Sequence, residues 1–331
     1  MKTSYGWKLL PYLRPYRLRF FWALAQVFLI AGFELLKPWP LQIVIDDVLG
    51  GKTPGFVPLQ GWSPLTLLGL ACLGIVAVQF VGGALTLLHN YTAIGVGQRM
   101  VNDLQGSLYG HLQRLSLAFH SRQKVGDIMF RITGDSFAVQ TMLMNGVLPI
   151  ISAIVLLSGM LVILFPLDPL LTVLSMSIVP VLFLLVAFFN RRIADVATEV
   201  RDARSRVYSI VQWAISSMKV VQAFTKEEEE YGRFMGASRA SLGSSLKLYS
   251  WQTFYTGVVN TLIAAGTALV IYVGARSVLS GTLSVGQLIV FISYLAQLYV
   301  PVNQLTESWG LIASARVSAR RVFEILETEA D

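Results

Sequence analysis

The chain has 331 residues, of which 54% are hydrophobic and only 14% charged, where a soluble domain carries about 25% charge. Together with a mean hydropathy of +0.62, this excludes a soluble enzyme and requires a multi-pass membrane protein. The formal net charge of +7 does not signal nucleic acid, because no basic run is interleaved with aromatics; in a membrane protein, positive loops mark the cytoplasmic side.

Cys72 is the lone cysteine, so neither a disulfide within the chain nor a CxxC metal site can form. Residues 4–16 are too short and too polar to span. Trp7, Tyr12 and Tyr16 with Lys8 and Arg14 suit a short interfacial helix, the alternative being a frayed tail. No cleavable signal is visible, since Arg14, Arg17 and Arg19 lead into a span with no small-residue cleavage site behind it.

Span one, Phe20–Leu36, continues as helix to Leu49, bent by Pro38 and Pro40. Glu34 and Lys37 sit one turn apart and can form an interfacial ion pair. Gly50–Ser63 is a loop. Its Gly51-Lys52-Thr53 mimics the end of a phosphate loop, but Asp46 stands where the full pattern needs glycine. Span two, Leu65–Leu88, runs on without proline through Arg99, Asp103 and Arg114. That is about 50 residues or 75 Å of helix, some 30–40 Å more than the hydrocarbon core holds. His89 reads as a packing histidine rather than a proton relay.

A polar hairpin, 118–136, then separates span two from span three, Met142–Phe165. The turn Pro166–Pro169 leads into span four, Leu170–Phe189. Beyond it, eight charged residues between Arg191 and Arg206 keep apolar partners Ile193, Val196, Val200 and Val207 at helical spacing. The turnaround is Val211–Phe224. The run Glu227–Glu230 follows, a solvated helix face on its own terms, and helix returns into span five, Phe254–Ala275. A short loop, Arg276–Gly281, leads to span six, Val285–Leu305, which contains Pro301 and continues to Leu326.

Six spans put alternate loops on opposite sides. Of 26 Lys and Arg, only Lys37, Lys52 and Arg276 fall on the short-loop side; the other 23 lie at the N-terminus and in 99–131, 191–247 and 316–321. The positive-inside rule therefore places both termini and both hairpins in the cytoplasm, in a prokaryotic cell membrane, since no organelle-targeting segment is visible. The expected fold class is an all-α membrane protein with six long transmembrane helices extending into the cytoplasm, over about 20–49, 65–115, 137–165, 170–211, 226–278 and 285–325. An interfacial elbow occupies 1–17.

In this frame the chain resembles the transmembrane domain of an ABC exporter. The resemblance rests on Leu10-Pro-Tyr-Leu-Arg-Pro-Tyr16, Ile45-Asp-Asp-Val-Leu49, Phe119 with Gly126-Asp127, Arg131 and Asp135, Val220-Val-Gln-Ala-Phe224, Gly281-Thr-Leu-Ser-Val-Gly-Gln287, Phe291-Ile-Ser-Tyr-Leu295, Tyr299-Val-Pro-Val302 and Ser318–Leu326. It covers nearly the whole chain. It implies a domain-swapped dimer, homo- or heteromeric, whose two transmembrane domains form the pathway. It also implies a short transverse helix at the tip of each hairpin, about Ser116–Lys124 and Val211–Ser217, docked on a nucleotide-binding domain. The coupling residues would be Phe119, His120, Ser121, Arg122, Gln123, Gly126, Asp127 and Arg131 at the first tip. At the second they would be Gln212, Trp213, Ala214, Ile215 and Ser216. Three positions depart from the family pattern: Trp213 where an acid is common, Ser217 where glycine is, and Phe130 where a small polar residue is usual.

Local physics agrees with a stiff first hairpin, because Asp127 and Arg131 can pair at i,i+4, as can Arg131 and Asp135 in reverse. The sequence itself holds no phosphate loop. Leu283-Ser-Val-Gly-Gln287 comes within one residue of a nucleotide-binding-domain signature, but at the outer mouth of span six it reads as coincidence. The chain is thus expected to bind no cofactor and to be no enzyme by itself, with ATP and Mg on a partner nucleotide-binding domain to which 326–331 begins a linker. The remaining partners would be membrane lipid and no nucleic acid. Gln297, Asn303, Gln304 and Glu307 in span six are candidate cavity residues, interhelical hydrogen bonding being the alternative. The mostly apolar, aromatic-rich spans suit an amphipathic, lipid-like, drug or peptide cargo. Two competing functions are an ATP-independent channel or secondary carrier, which would favour ionisable groups at mid-membrane, and a membrane scaffold.

Overall fold

The computed structural model describes residues 10–51 and 62–329. Trp7 and Lys8 of the elbow, Lys52 and Thr53 of the first loop and residues 330–331 lie outside the described residues. Every regular element among those described is helical. Six stretches are long and apolar enough to cross a membrane: Pro11–Leu49, Pro64–Leu112, Val125–Leu167, Pro169–Ser216, Glu227–Leu279 and Val285–Leu326. The chain is a multi-pass integral membrane protein.

It divides into two units, residues 1–179 with 266–331, and residues 180–265. In the first, α1 (Leu10–Leu13) and a tight turn lead to α2 (Arg17–Leu36) and α3 (Trp39–Ile43). The helix breaks at Lys37 and Pro38, since neither Pro38 nor Pro40 has an N–H to continue the ladder. Lys37 pairs with Glu34 at 2.7 Å, as their spacing allows. Ser63 caps α4 (Pro64–Leu112), an unbroken helix of 49 residues. Asp168 is extended and caps α9 (Pro169–Met176) by accepting from the Leu171 N–H at 3.0 Å, which turns the chain sharply after α8 (Leu148–Leu167).

A buried apolar core of this unit lies along the hairpin-side extension of α4. Val96, Met100, Leu104, Leu108 and Leu112 recur every fourth residue along one stripe. They pack against Val139, Leu143 and α14 (Tyr299–Leu326) through Ala319, Val322, Phe323 and Ile325. Tyr12, Leu13, Tyr16 and Phe20 close the cluster from the N-terminal side. Tyr16 donates to the Asp103 carboxylate at 2.8 Å, tying the elbow to α4.

At the short-loop end, α13 (Val285–Gln297) begins with a reciprocal cap: the Ser284 hydroxyl accepts from the Gln287 N–H at 3.0 Å, and the Gln287 side chain accepts from the Ser284 N–H at 2.9 Å. Asp46 enters the same helix end, accepting from the Gly286 N–H at 2.9 Å and from the Ser284 hydroxyl. A Cβ on residue 286 would lie 2.5 Å from the Asp46 carboxylate, so glycine is needed there. Leu283-Ser-Val-Gly-Gln287 is therefore a helix-start device, and its likeness to an ATPase signature has this local cause. Asp46→Ala removes the acceptor of two donors at a helix N-terminus and is expected to cost about 1–2 kcal/mol, read as a lower apparent melting temperature with Asp46→Asn falling between.

Span six is interrupted between α13 and α14 at Leu298. Pro301 has no N–H to return to the Gln297 carbonyl four residues back, which ends the α-helical ladder there.

The second unit holds nearly all of α10 (Ile178–Ser216), which runs to the second tip, the separate short helix α11 (Met218–Ala223), and the part of α12 (Glu227–Leu279) up to residue 265. Val196, Val200 and Ala203 are buried along α10, and Lys247 of α12 pairs with Glu199 of α10 at 2.8 Å.

Candidate functional site

The first tip is a capped helical turn. Ser116 is extended, and its hydroxyl accepts from the Phe119 N–H at 3.2 Å to start α5 (Leu117–Arg122). Phe119 faces the core cluster. The His120 ring stands edge-on to it at 5.6 Å and meets the Leu112 carbonyl at 3.1 Å, which fixes α5 to the end of α4. Ser121 bonds back to the Ala118 carbonyl at 3.0 Å. Arg122, Gln123, Gly126 and Asp127 remain exposed. Leu117 is the most exposed apolar side chain of this tip, at 87%.

The helix returning from this tip is α6 (Val125–Phe130), followed by a widened turn with i→i+5 bonding over Arg131–Asp135 and then α7 (Ser136–Met142). Arg131 pairs with Asp127 at 3.0 Å, as i,i+4 spacing predicts. Asp135 does not return the reverse pair. The widened turn breaks the i,i+4 register, and Asp135, 1% exposed, turns instead to Arg321 of α14. The Arg321 guanidinium grips it with two nitrogens, Nε at 2.8 Å and Nη2. Phe130 lies 6.0 Å beneath the same guanidinium, which gives this departure from the family pattern a packing role. Arg131 reaches α14 as well, donating to the Arg321 carbonyl at 3.3 Å and standing 3.9 Å from Glu324. A cleft of about 200 Å³ results, bounded by Phe119, Gln123, Ile128, Arg131, Glu324 and Thr328.

The second tip differs from the expected one. Gln212, Trp213, Ala214, Ile215 and Ser216 form the last turns of α10, not a separate transverse helix. No glycine or proline interrupts residues 190–216, so the helix continues to Ser217, whose φ of −105° and ψ of 17° end it. The short helix is α11, seven residues later than the expected start, and Phe224 behind it is 72% exposed. Thr225 turns the chain with a φ of +53°, a left-handed conformation costly for a β-branched residue. Lys226 closes the turn on Glu229 at 2.8 Å, a hydrogen bond that raises its pKa above the ordinary lysine value. Trp213 is half exposed, with Arg233 stacked over its ring at 5.4 Å.

Of the span-six polar residues, Asn303 donates to Glu307 at 2.9 Å. Gln297 and Gln304 are half-buried. Among the described residues, no group of three or more His, Cys, Asp or Glu is placed to hold a metal ion. The Asp135–Arg321–Phe130 cluster and the Tyr16–Asp103 clip were not anticipated from sequence. The partners are 186 and 87 residues apart, far beyond the reach of helical spacing.

A family model described as the ABC transporter transmembrane region matches residues 20–302. Similar proteins include an uncharacterized ABC transporter ATP-binding protein, YknV of Bacillus subtilis (strain 168), 27% identical over 98% of this chain and 52% of its own length. A second from the same organism, YknU, is 28% identical over 97% of this chain and 53% of its own. An ATP-dependent lipid A-core flippase of Syntrophus aciditrophicus (strain SB) is 26% identical over 98% of this chain and 52% of its own. The chain spans about half the length of these relatives. Six apolar helices, a capped first tip and a family match over most of the residues lead to one assignment: this chain belongs to the ABC transporter transmembrane region family.

Proposed function

We propose that the chain is the translocation half of an ATP-driven exporter, worked by a nucleotide-binding domain that grips the two hairpin tips. The observation that carries this is α5: a turn fixed by the Ser116 cap and the Phe119–His120 contacts, presenting Leu117 to solvent. A rigid, capped turn with an outward apolar anchor is what a docking contact needs. Exposed Val220 and Phe224 at α11 offer a second contact. ATP and Mg bind the partner domain, and this chain supplies no catalytic group.

Closure of two ATPase domains pushes on the tips. The 49-residue α4, about 73 Å at 1.5 Å per residue, carries the push across the bilayer, aided by the Asp135–Arg321 tie. Two such transmembrane domains, alike or different, line the pathway, with the second hairpin reaching the partner's ATPase. The charge bias of the loops supports cytoplasmic tips and termini. The lipid A-core flippase among the relatives supports an amphipathic, lipid-like cargo, with Gln297, Asn303, Gln304 and Glu307 available to its polar part.

Co-reconstitution with the nucleotide-binding domain in liposomes tests this. A fluorescent lipid should cross only with hydrolysable ATP; ion conduction by the chain without nucleotide would instead favour a channel. Trp213→Ala should lower cargo moved per ATP hydrolysed severalfold, and an unchanged ratio would remove Trp213 from the coupling contact.

A further inference from the structure

Where the apolar runs of spans four and five end, α10 and α12 build an aromatic platform with no role in the coupling above. Phe189 is its centre, 6% exposed. Around it stand Trp251 at 6.2 Å, Phe254 at 5.9 Å and Tyr255 at 5.3 Å between ring centroids. Phe188 meets Phe189 edge-on at 5.5 Å. Phe188 and Phe254 are 65% and 60% exposed. Arg192 lies over the Trp251 ring at 5.7 Å, and Arg191 adjoins it in sequence. Among the described residues, no carboxylate lies within ion-pair distance of either arginine; Glu199, farther along α10, is taken by Lys247 at 2.8 Å. Two unpaired cations therefore sit at the point where apolar helix surface gives way to polar, beside exposed phenylalanines on the membrane side.

The geometry points to a binding site for an anionic phospholipid of the hairpin-side leaflet, its phosphate held by Arg191 and Arg192 and its acyl chains lying along Phe188 and Phe254. Paired arginines next to a span recognise anionic headgroups, and guanidinium matches phosphate in a bidentate fork. Stacking on Trp251 keeps Arg192 at the interface instead of in bulk solvent, which lowers the ordering cost of capture. A soluble phosphate would use the arginines but leave the phenylalanines unexplained, so the occupant is the lipid. The site rests on where the apolar spans end, and stands whatever cargo the chain moves.

The test keeps Trp251 as the sole tryptophan, with the other six changed to Phe, in phosphatidylcholine nanodiscs doped with brominated lipid. Brominated phosphatidylglycerol should quench Trp251 at lower mole fraction than brominated phosphatidylcholine, by about fivefold per arginine at low salt. Arg191→Gln with Arg192→Gln should bring that preference close to one. Three results would overturn the site: equal quenching by both lipids, a preference that survives the double substitution, or no quenching by either, which would mean that a second copy of the chain covers the platform. Should the six-fold tryptophan variant misfold, native mass spectrometry of the tryptophan-intact protein gives a second readout. There the arginine double variant should retain less phosphatidylglycerol than the parent, and equal retention would refute the proposal.

Discussion

Replacing Arg321 by alanine is expected to be among the most damaging single changes in the hairpin-side half of this protein. Asp135 is 1% exposed and its carboxylate is held by the two Arg321 nitrogens. Removing the guanidinium leaves a buried anion with no counter-charge, while Phe130 loses the cation above its ring. Breaking a fully buried pair costs about 3–5 kcal/mol; because the Arg321 side chain is 38% exposed and water reaches it, about 2–4 kcal/mol is expected here. Thermal stability in detergent reports the loss. The double variant Asp135→Leu, Arg321→Met should recover much of it, since replacing both partners by apolar groups leaves no stranded charge. An alanine variant as stable as the parent would show that water already solvates Asp135.

Leu117→Asp should abolish most coupling while leaving the fold intact. At 87% exposure, Leu117 contributes little to the chain's own stability, and an aspartate at the first position of α5 even suits a helix N-terminus. In a docking pocket the same change buries an unpaired charge. Affinity for the nucleotide-binding domain should fall by more than about tenfold, as for a buried anchor, and ATP turnover should cease to move cargo. Leu117→Met should behave like the parent. Ser116→Ala, which removes the cap, should cost about 1 kcal/mol of local helix stability and weaken binding less. Full affinity in Leu117→Asp would place the docking contact elsewhere.

Much of the architecture follows from local sequence. Runs of about 20 apolar residues have no stable place but the bilayer, so the six spans, the proline breaks after Leu36 and at Gln297, and the long α4 follow from composition and residue order. Short-range pairs were equally legible: Glu34–Lys37 and Asp127–Arg131 form at the spacing that faces their side chains together. The tertiary structure decided what spacing cannot encode. Asp135 has no partner within its own helix because a widened turn rotates it away, and its partner lies 186 residues later. The start of α13 took its meaning from Asp46, 240 residues earlier in the chain than Gly286. The short helix expected at 211–217 lies at Met218–Ala223, because α10 continues through Ser216 with no glycine or proline to stop it. Periodicity fixes which face of a helix is apolar; which distant group meets that face depends on how the helices pack.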